Sequence, residues 1–233
     1  MSAPSNSAGA GKFPILCYIT DRRSLSLTTA SANVSVLAEK IALLAGSGVD
    51  WVQIREKDLS ARQLTGLVRA TLRCTLVQTH RDPDMPRIIV NDRVDVALTA
   101  GAGGVHLGER SLPVGDAKVV VRSRASAKNF LLGVSCHSLE SVKSAAAGGA
   151  DYAFFGPVFA TPSKAAFREP QGLRRLAEVC RSMPIPVLAI GGITVENADK
   201  CFAAGAAGIA AIRLFQEAPE PAAVVAALRQ MAL

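Results

Sequence analysis

Short apolar runs alternate with longer stretches of helical spacing along the whole chain. Residues 15–20 read as a buried strand closed by Asp21, and residues 34–45 carry helical apolar spacing up to the stop at Gly46, Ser47 and Gly48. The couple then recurs. Strands are expected at 51–57, 87–92, 104–108, 130–135 and 152–157, with helices at 61–77, 94–100, 114–121, from about 138, and at 172–181. Ser60 is placed to cap the second helix, and Pro113 precedes the fourth. Residues 187–190 form a run suited to burial on both faces, bounded by Pro186 and the pair Gly191 and Gly192, with a helix at 195–204. A last apolar run within 205–213 ends in the cation Arg213 and precedes a helix at 221–231.

Eight strand-then-helix units predict a parallel sheet with right-handed crossovers, and eight suffice to close it. The expected architecture is α/β, a single (β/α)8 TIM barrel over residues 13–233, behind a Ser/Ala/Gly-rich tail at 1–12 expected to be disordered. The length of 233 residues suits one such domain.

Composition narrows the function more than the fold. No apolar run approaches the roughly 18 residues that cross a bilayer, and the first residues lack the build of a signal peptide, so no membrane is expected. Five cysteines (Cys17, Cys74, Cys136, Cys180 and Cys201) without a CxxC spacing suit reduced thiols in a cytoplasm rather than a disulfide frame or a zinc site. The net charge of +7 comes from scattered basic residues with few aromatics and no nucleic-acid module, so nucleic acid is not an expected partner. A polyanionic small substrate accounts for part of the charge and a solvated surface for the rest.

In a barrel of this kind the C-terminal ends of the strands carry the chemistry. At those ends stand Gln53, Arg55 and Lys57; Asn91 and Asp92; His106 and Glu109; Ser135 and His137; Thr161, Ser163 and Lys164; and Gly191, Gly192 and Arg213. Cations outnumber carboxylates, and hydroxyls and amides are plentiful. Such a mouth suits oxygen anions, either two phosphate groups or a pyrophosphate with a metal. The glycine pair after strand seven suits phosphate in particular, because an anion can approach backbone donors with no side chain in the way. On an alternating pleat Arg55 and Lys57 fall on one side of strand two. Plainer alternatives stand beside these readings: Arg55 and Lys57 as a surface ion pair, Asp92 as a helix cap, His137 as a neutral helix-start residue, Glu109 and Ser163 as rim groups.

Seven motifs in register resemble the thiamine phosphate synthases. They are Gln53-x-Arg55-x-Lys57, Asn91-Asp92-Arg93-Val94-Asp95, Gly104-Val105-His106-Leu107-Gly108, Gly133-Val134-Ser135-x-His137-Ser138, Gly156-Pro157-Val158-Phe159-x-Thr161-x-Ser163-Lys164, Ala189-Ile190-Gly191-Gly192-Ile193 and Ala204-Gly205-Ala206-x-Gly208-Ile209-Ala210. The resemblance spans about residues 18–215 and extends to the superfamily that also holds the thiazole tautomerase. It implies condensation of a hydroxymethylpyrimidine diphosphate with a hydroxyethylthiazole phosphate, with Mg2+ as cofactor and pyrophosphate as leaving group. It further implies that Arg55, Lys57, Asn91 and Lys164 grip the diphosphate and that Gln53 and Ser135 seat the pyrimidine. Thr161 and Ser163 would meet the thiazole, whose phosphate rests on Gly191, Gly192 and the strand-eight end at Ile212 and Arg213. Lys57, Ser135, Lys164 and His137 are the expected catalytic groups, and Asp92 the expected metal ligand.

Two departures from the family pattern matter. The aspartate usual three residues after the glycine of the His-x-Gly motif, a second magnesium ligand, is Ser111 here, which leaves Glu109 as the candidate substitute. A serine usual at the strand-eight end is Arg213. The first departure favours the tautomerase alternative, in which the histidine matching His137 carries a proton; the retained cations favour the synthase. A non-catalytic barrel binding thiamine phosphate is the remaining alternative. A homodimer is the expected assembly if there is one.

Overall fold

Eight strands pair in chain order, all parallel, and the last closes on the first. They are β1 (Ile15–Ile19), β2 (Trp51–Ile54), β3 (Arg87–Asn91), β4 (Gly104–Leu107), β5 (Leu131–Cys136), β6 (Tyr152–Phe155), β7 (Val187–Ile190) and β8 (Gly208–Ala211). The helices between them are α1 (Ala30–Gly46), α2 (Ala61–Gln78), α3 (Val94–Ala100), α4 (Val114–Arg122), α5 (Leu139–Gly148), α6 (Gly172–Ser182) and α7 (Val195–Ala203). Two more, α8 (Arg213–Gln216) and α9 (Pro221–Gln230), follow β8. This computed structural model describes residues 14–25, 30–78, 85–123, 129–161 and 169–231. The tail expected at 1–12, and Ser163 and Lys164, lie outside the described residues.

The (β/α)8 barrel expected from the alternating pattern is thus the observed fold. Strict alternation divides the strand residues into two sets. One set faces the helices and joins the main core, as with Leu16, Tyr18, Val52, Ile54, Ile88, Val90, Ala153 and Phe155. The other set fills the barrel: Cys17, Ile19, Ile89, Tyr152, Phe154, Leu188 and Ala210 are buried together, with Trp51 and Leu131 against them. Tyr152 lies directly over Gly133 on the neighbouring strand, where an added Cβ would stand 2.0 Å from the Tyr152 ring. Only glycine admits that ring.

Several boundaries differ from the pattern-based expectation, each for a local reason. β2 stops at Ile54 because the next amide, Arg55 N–H, donates to the Thr20 hydroxyl at 3.0 Å instead of continuing the ladder. Arg55 and Lys57 therefore sit in the loop after β2, not on its pleat. β8 stops at Ala211, and Arg213 opens the short helix α8 instead of ending a strand. α1 begins at Ala30, four residues ahead of its apolar spacing. Ser60 caps α2 as expected, with its hydroxyl accepting from Gln63 N–H at 3.3 Å. Ser138 and Thr194 open α5 and α7 with reciprocal capping boxes. All five cysteines are free, and among the described residues no helix is long and apolar enough to cross a membrane.

Candidate active site

The pleat brings four of the expected residues to the upper, inward layer of the barrel. Gln53 is two positions above Trp51, Asn91 two above Ile89, His106 pairs in register with Asn91, and Ser135 is two above Gly133. The floor beneath them is aromatic. His106 stacks on Phe154 with ring centroids 4.1 Å apart, and Tyr152 lies 4.7 Å from Trp51.

Polar groups on that floor form two short chains. Gln53 Nε2 donates to Asn91 Oδ1 at 3.0 Å. Among the described residues Gln53 Oε1 is buried with no partner, an acceptor that an N–H donor on a bound molecule would satisfy. His106 lies between two hydroxyls, with Nδ1 3.1 Å from Tyr152 Oη and Nε2 2.9 Å from Ser135 Oγ. Complete burial, assisted by the charge of Arg55, pulls the imidazole down to about 3, so the ring is neutral. A neutral ring has one donor and one acceptor, so one hydroxyl donates to it and the other accepts. Ser135 Oγ is therefore oriented from inside the barrel.

The loop after β2 carries the cations. Arg55 is half-buried and Lys57 exposed at the rim. Between them Glu56 turns back into the protein, only 4% exposed, and accepts from the Thr20 hydroxyl at 2.6 Å and from Arg22 Nη1 at 2.9 Å. Arg22 also bridges both oxygens of Asp58, at 2.6 and 2.7 Å. That hydrogen bonding holds the Asp58 carboxyl down at about 2 and raises the guanidinium. Asp21, Arg23, Arg55, Glu56, Lys57 and Asp58 line one open cleft of about 460 Å³. The charge of Arg55, partial burial and the charge of Arg110 depress the Lys57 ammonium, while Asp92 acts in the opposite direction. Arg55, Lys57, Asp92 and Arg110 thus share one electrostatic neighbourhood.

Asp92 does not cap α3. The capping position is Arg93, without a side-chain cap, and Arg93 pairs instead with Asp95 at 2.5 Å. Asp92 has φ +67°, an uncommon conformation for a residue with a side chain, and its carboxylate is exposed at the rim. Among the described residues no cluster of three or more His, Cys, Asp and Glu could hold a metal. A lone carboxylate among cations still fits a magnesium ion that draws its other oxygens from water and phosphate. Ser111 adds no carboxylate to that donor set; its hydroxyl accepts from Gly108 N–H at 2.7 Å and closes its own turn. Glu109, the candidate substitute, has an oxygen 3.6 Å from His137 Nε2. On its other side His137 Nδ1 bonds the Gly156 carbonyl.

Across the mouth, the ends of β7 and β8 use backbone. Gly191 and Gly192 have φ of +96° and +67°, and a Cβ on Gly192 would stand 2.4 Å from the Ala160 carbonyl oxygen. Asn197 Nδ2 holds the Gly192 carbonyl at 3.0 Å. Arg213 Nη2 reaches Thr161 Oγ1 at 3.4 Å, which joins the strand-eight end to the loop after β6. Ile212 is half-buried between them in the chain.

Of the expected residues, Gln53, Asn91 and Ser135 meet on the floor, Arg55, Lys57 and Asp92 on one rim, and Thr161, Gly191, Gly192, Ile212 and Arg213 on the other. Pattern reading missed Thr20, Arg22, Tyr152 and Gln216. Tyr152 is indistinguishable in sequence from its apolar strand, although Gly133 opposite it is a usable signal. Gln216 Oε1 accepts from the Tyr18 hydroxyl at 2.7 Å, nearly the whole chain apart in sequence, and no local pattern reports such a pair.

The chain is similar to known proteins over most of its length. Residues 16–215 match the family described as thiamine monophosphate synthase. The thiamine-phosphate synthase of Roseiflexus castenholzii is 41% identical over 218 residues, 94% of this chain and 88% of that one. The thiamine-phosphate synthase of Anaeromyxobacter dehalogenans is 40% identical over 184 residues, covering 79% and 78%. Among solved structures, thiamine phosphate pyrophosphorylase from Pyrococcus furiosus superposes with a TM-score of 0.76 at 31% identity, covering 95% of this chain and 96% of that one.

Proposed function

Because the chain belongs to the thiamine monophosphate synthase family, we propose that it joins a hydroxymethylpyrimidine diphosphate to a hydroxyethylthiazole phosphate, giving thiamine phosphate and pyrophosphate. The carrying observation is the pairing of two anion-binding arcs on one mouth: Arg55, Lys57 and Asp92 on one side, Gly192 and Arg213 on the other, over a floor with an orphan acceptor.

In this reading the C–O bond between the pyrimidine methylene and the diphosphate breaks, and its electron pair leaves with pyrophosphate. Arg55 and Lys57 stabilise the charge that gathers on the leaving oxygens, with Lys164 and Asn91 as further donors. The pyrimidinylmethyl cation left behind is held by Gln53, whose Oε1 suits an amino substituent, and by Ser135, oriented through His106. The thiazole nitrogen then supplies the lone pair for the new C–N bond, and Thr161 and Ser163 align it. Its phosphate rests on Gly191, Gly192 and the backbone of Ile212, with the Arg213 guanidinium beside it. Asp92 would hold magnesium, which when bound would neutralise part of the diphosphate charge. The soluble substrates suit a cytoplasmic protein.

Product formation from the two substrates, with and without magnesium, tests the reading. Metal-dependent pyrophosphate release in step with thiamine phosphate is expected; folded protein that turns over neither substrate would sink it. One observation favours a second reading, the thiazole tautomerase: His137 sits between Gly156 and Glu109. Isomerisation of a carboxythiazole phosphate without metal, lost in His137→Ala, would replace the synthase reading.

A further inference from the structure

Glu56 and Asp58 alternate with Arg55 and Lys57, and all four line one cleft together with Asp21 and Arg23. Two carboxylates beside two cations would leave little net charge for a dianionic or trianionic ligand. The structure resolves this with one side chain. Arg22, only 8% exposed, meets Glu56 Oε2 at 2.9 Å, Asp58 Oδ1 at 2.6 Å and Asp58 Oδ2 at 2.7 Å. Its own backbone N–H donates to Glu56 Oε1 at 3.1 Å. The Thr20 hydroxyl donates to that same oxygen and accepts from Arg55 N–H, so the loop is fixed at its backbone as well. The turn bearing Arg22 is itself anchored: Gln216 Nε2 donates to the Asp21 carbonyl at 2.8 Å and to Ser24 Oγ at 2.5 Å.

We propose that Arg22 is a positioning residue for the diphosphate grip, drawing Glu56 and Asp58 onto itself and offsetting one of their two charges, so that neither carboxylate pairs with Arg55 or Lys57 and both cations stay turned to the leaving group. This rests on the reading of the mouth given above. Arg22 need touch no substrate. Its planar fork suits the task, since two carboxylates can be met at once only by a donor with several fixed N–H vectors. Lysine would keep the charge and lose the fork. Removing the guanidinium alone would leave Glu56 buried and unpaired, which is the costly way to break such a pair.

The test is calorimetric binding of inorganic pyrophosphate, with magnesium present, to the full chain and three variants. Arg22→Met should weaken binding by about tenfold or more, and Arg22→Lys by less, because the carboxylates then compete for the two cations. Adding Glu56→Gln and Asp58→Asn to Arg22→Met should bring binding back to within about threefold of the unaltered chain, since nothing is left to neutralise. Thiazole phosphate binding should stay within about twofold throughout, which a general loss of folding would not allow. Melting curves identify any variant that fails to fold; the neutral triple variant and Arg22→Lys keep the test decisive if Arg22→Met does. Unchanged pyrophosphate binding in folded Arg22→Met, or a triple variant as weak as the single one, would overturn the inference. If the unaltered chain bound no pyrophosphate, the reading of the mouth itself would fall, and the inference with it.

Discussion

In the proposed reading the two arcs of the mouth bind anions by opposite means. After β2 and β3 the donors are side chains, Arg55 and Lys57, whose placement depends on Thr20, Arg22 and Glu56 behind them. After β7 and β8 the essential feature is the absence of side chains at Gly191 and Gly192, helped by one guanidinium reaching Thr161. The first arc spends buried polar groups to hold exposed cations. The second needs only a backbone conformation that residues with a Cβ rarely adopt. Loss of the first arc's cations should therefore appear as lost affinity in a stable protein, and damage to the second as lost stability.

Gly192→Ala is the severest way to break that contrast. It forces a side chain onto φ +67° and sets a Cβ 2.4 Å from the Ala160 carbonyl oxygen. The expected loss is about 3 kcal/mol of unfolding free energy, read by urea titration, with thiazole phosphate binding lost as well. Wild-type stability would show that the turn relaxes freely. Lys57→Ala probes the other arc. It should lower kcat/KM for the pyrimidine diphosphate by about a hundredfold while the unfolding midpoint barely moves, as for a surface substitution. A parallel rise in the KM for the thiazole phosphate would argue that the arcs are not separate.

Asp92→Asn sharpens the first arc further. Asparagine tolerates the left-handed backbone that Asp92 adopts, so the carboxylate is removed without added strain. Half-saturation by magnesium should rise by about tenfold in a turnover assay, given how few protein carboxylates the ion has there. An unchanged magnesium requirement would take Asp92 out of the metal site.

A pH-dependent effect concerns the floor shared by both arcs. Burial pulls the His106 imidazole from 6.5 to about 3, so between those values the unfolded chain binds a proton that the folded one refuses. Stability from this group is fully present above pH 6.5 and is lost as the pH falls toward 3, with a slope of at most about 1.4 kcal/mol per pH unit. Comparing urea midpoints of the unaltered chain and His106→Gln from pH 7 down to 5 isolates the term. Parallel pH profiles would mean that His106 titrates normally in the folded state.

Pattern reading reached the second arc more completely than the first. A glycine pair after a buried strand states its own backbone requirement, and Gly191 and Gly192 were found on that ground. The strand-end position picks out Arg55 and Lys57 correctly, but the shared side expected of them rests on a pleat that the structure ends at Ile54. What holds them is the Thr20 hydroxyl just past β1 and the Glu56 carboxylate returning to Arg22, pairs 34 to 36 residues apart. Asp92 as a cap is the plainer alternative from spacing alone, and the helix start at Val94, with Arg93 in the capping position, sets it aside.

The sequence by itself determined the periodicities, and with them eight strands, the seven crossovers that join them and the end of the barrel at which polar residues collect. Those are local properties, since a period of two or of 3.6 residues is complete within each segment. Only the tertiary structure decided which polar residues serve ligand and which serve each other. Glu56 and Lys57 are neighbours in the chain, yet one is buried against Arg22 and the other meets solvent. That division follows from closure of the barrel, which sets β1 beside both β2 and β8 and so brings Thr20, Glu56 and Gln216 within reach of one turn.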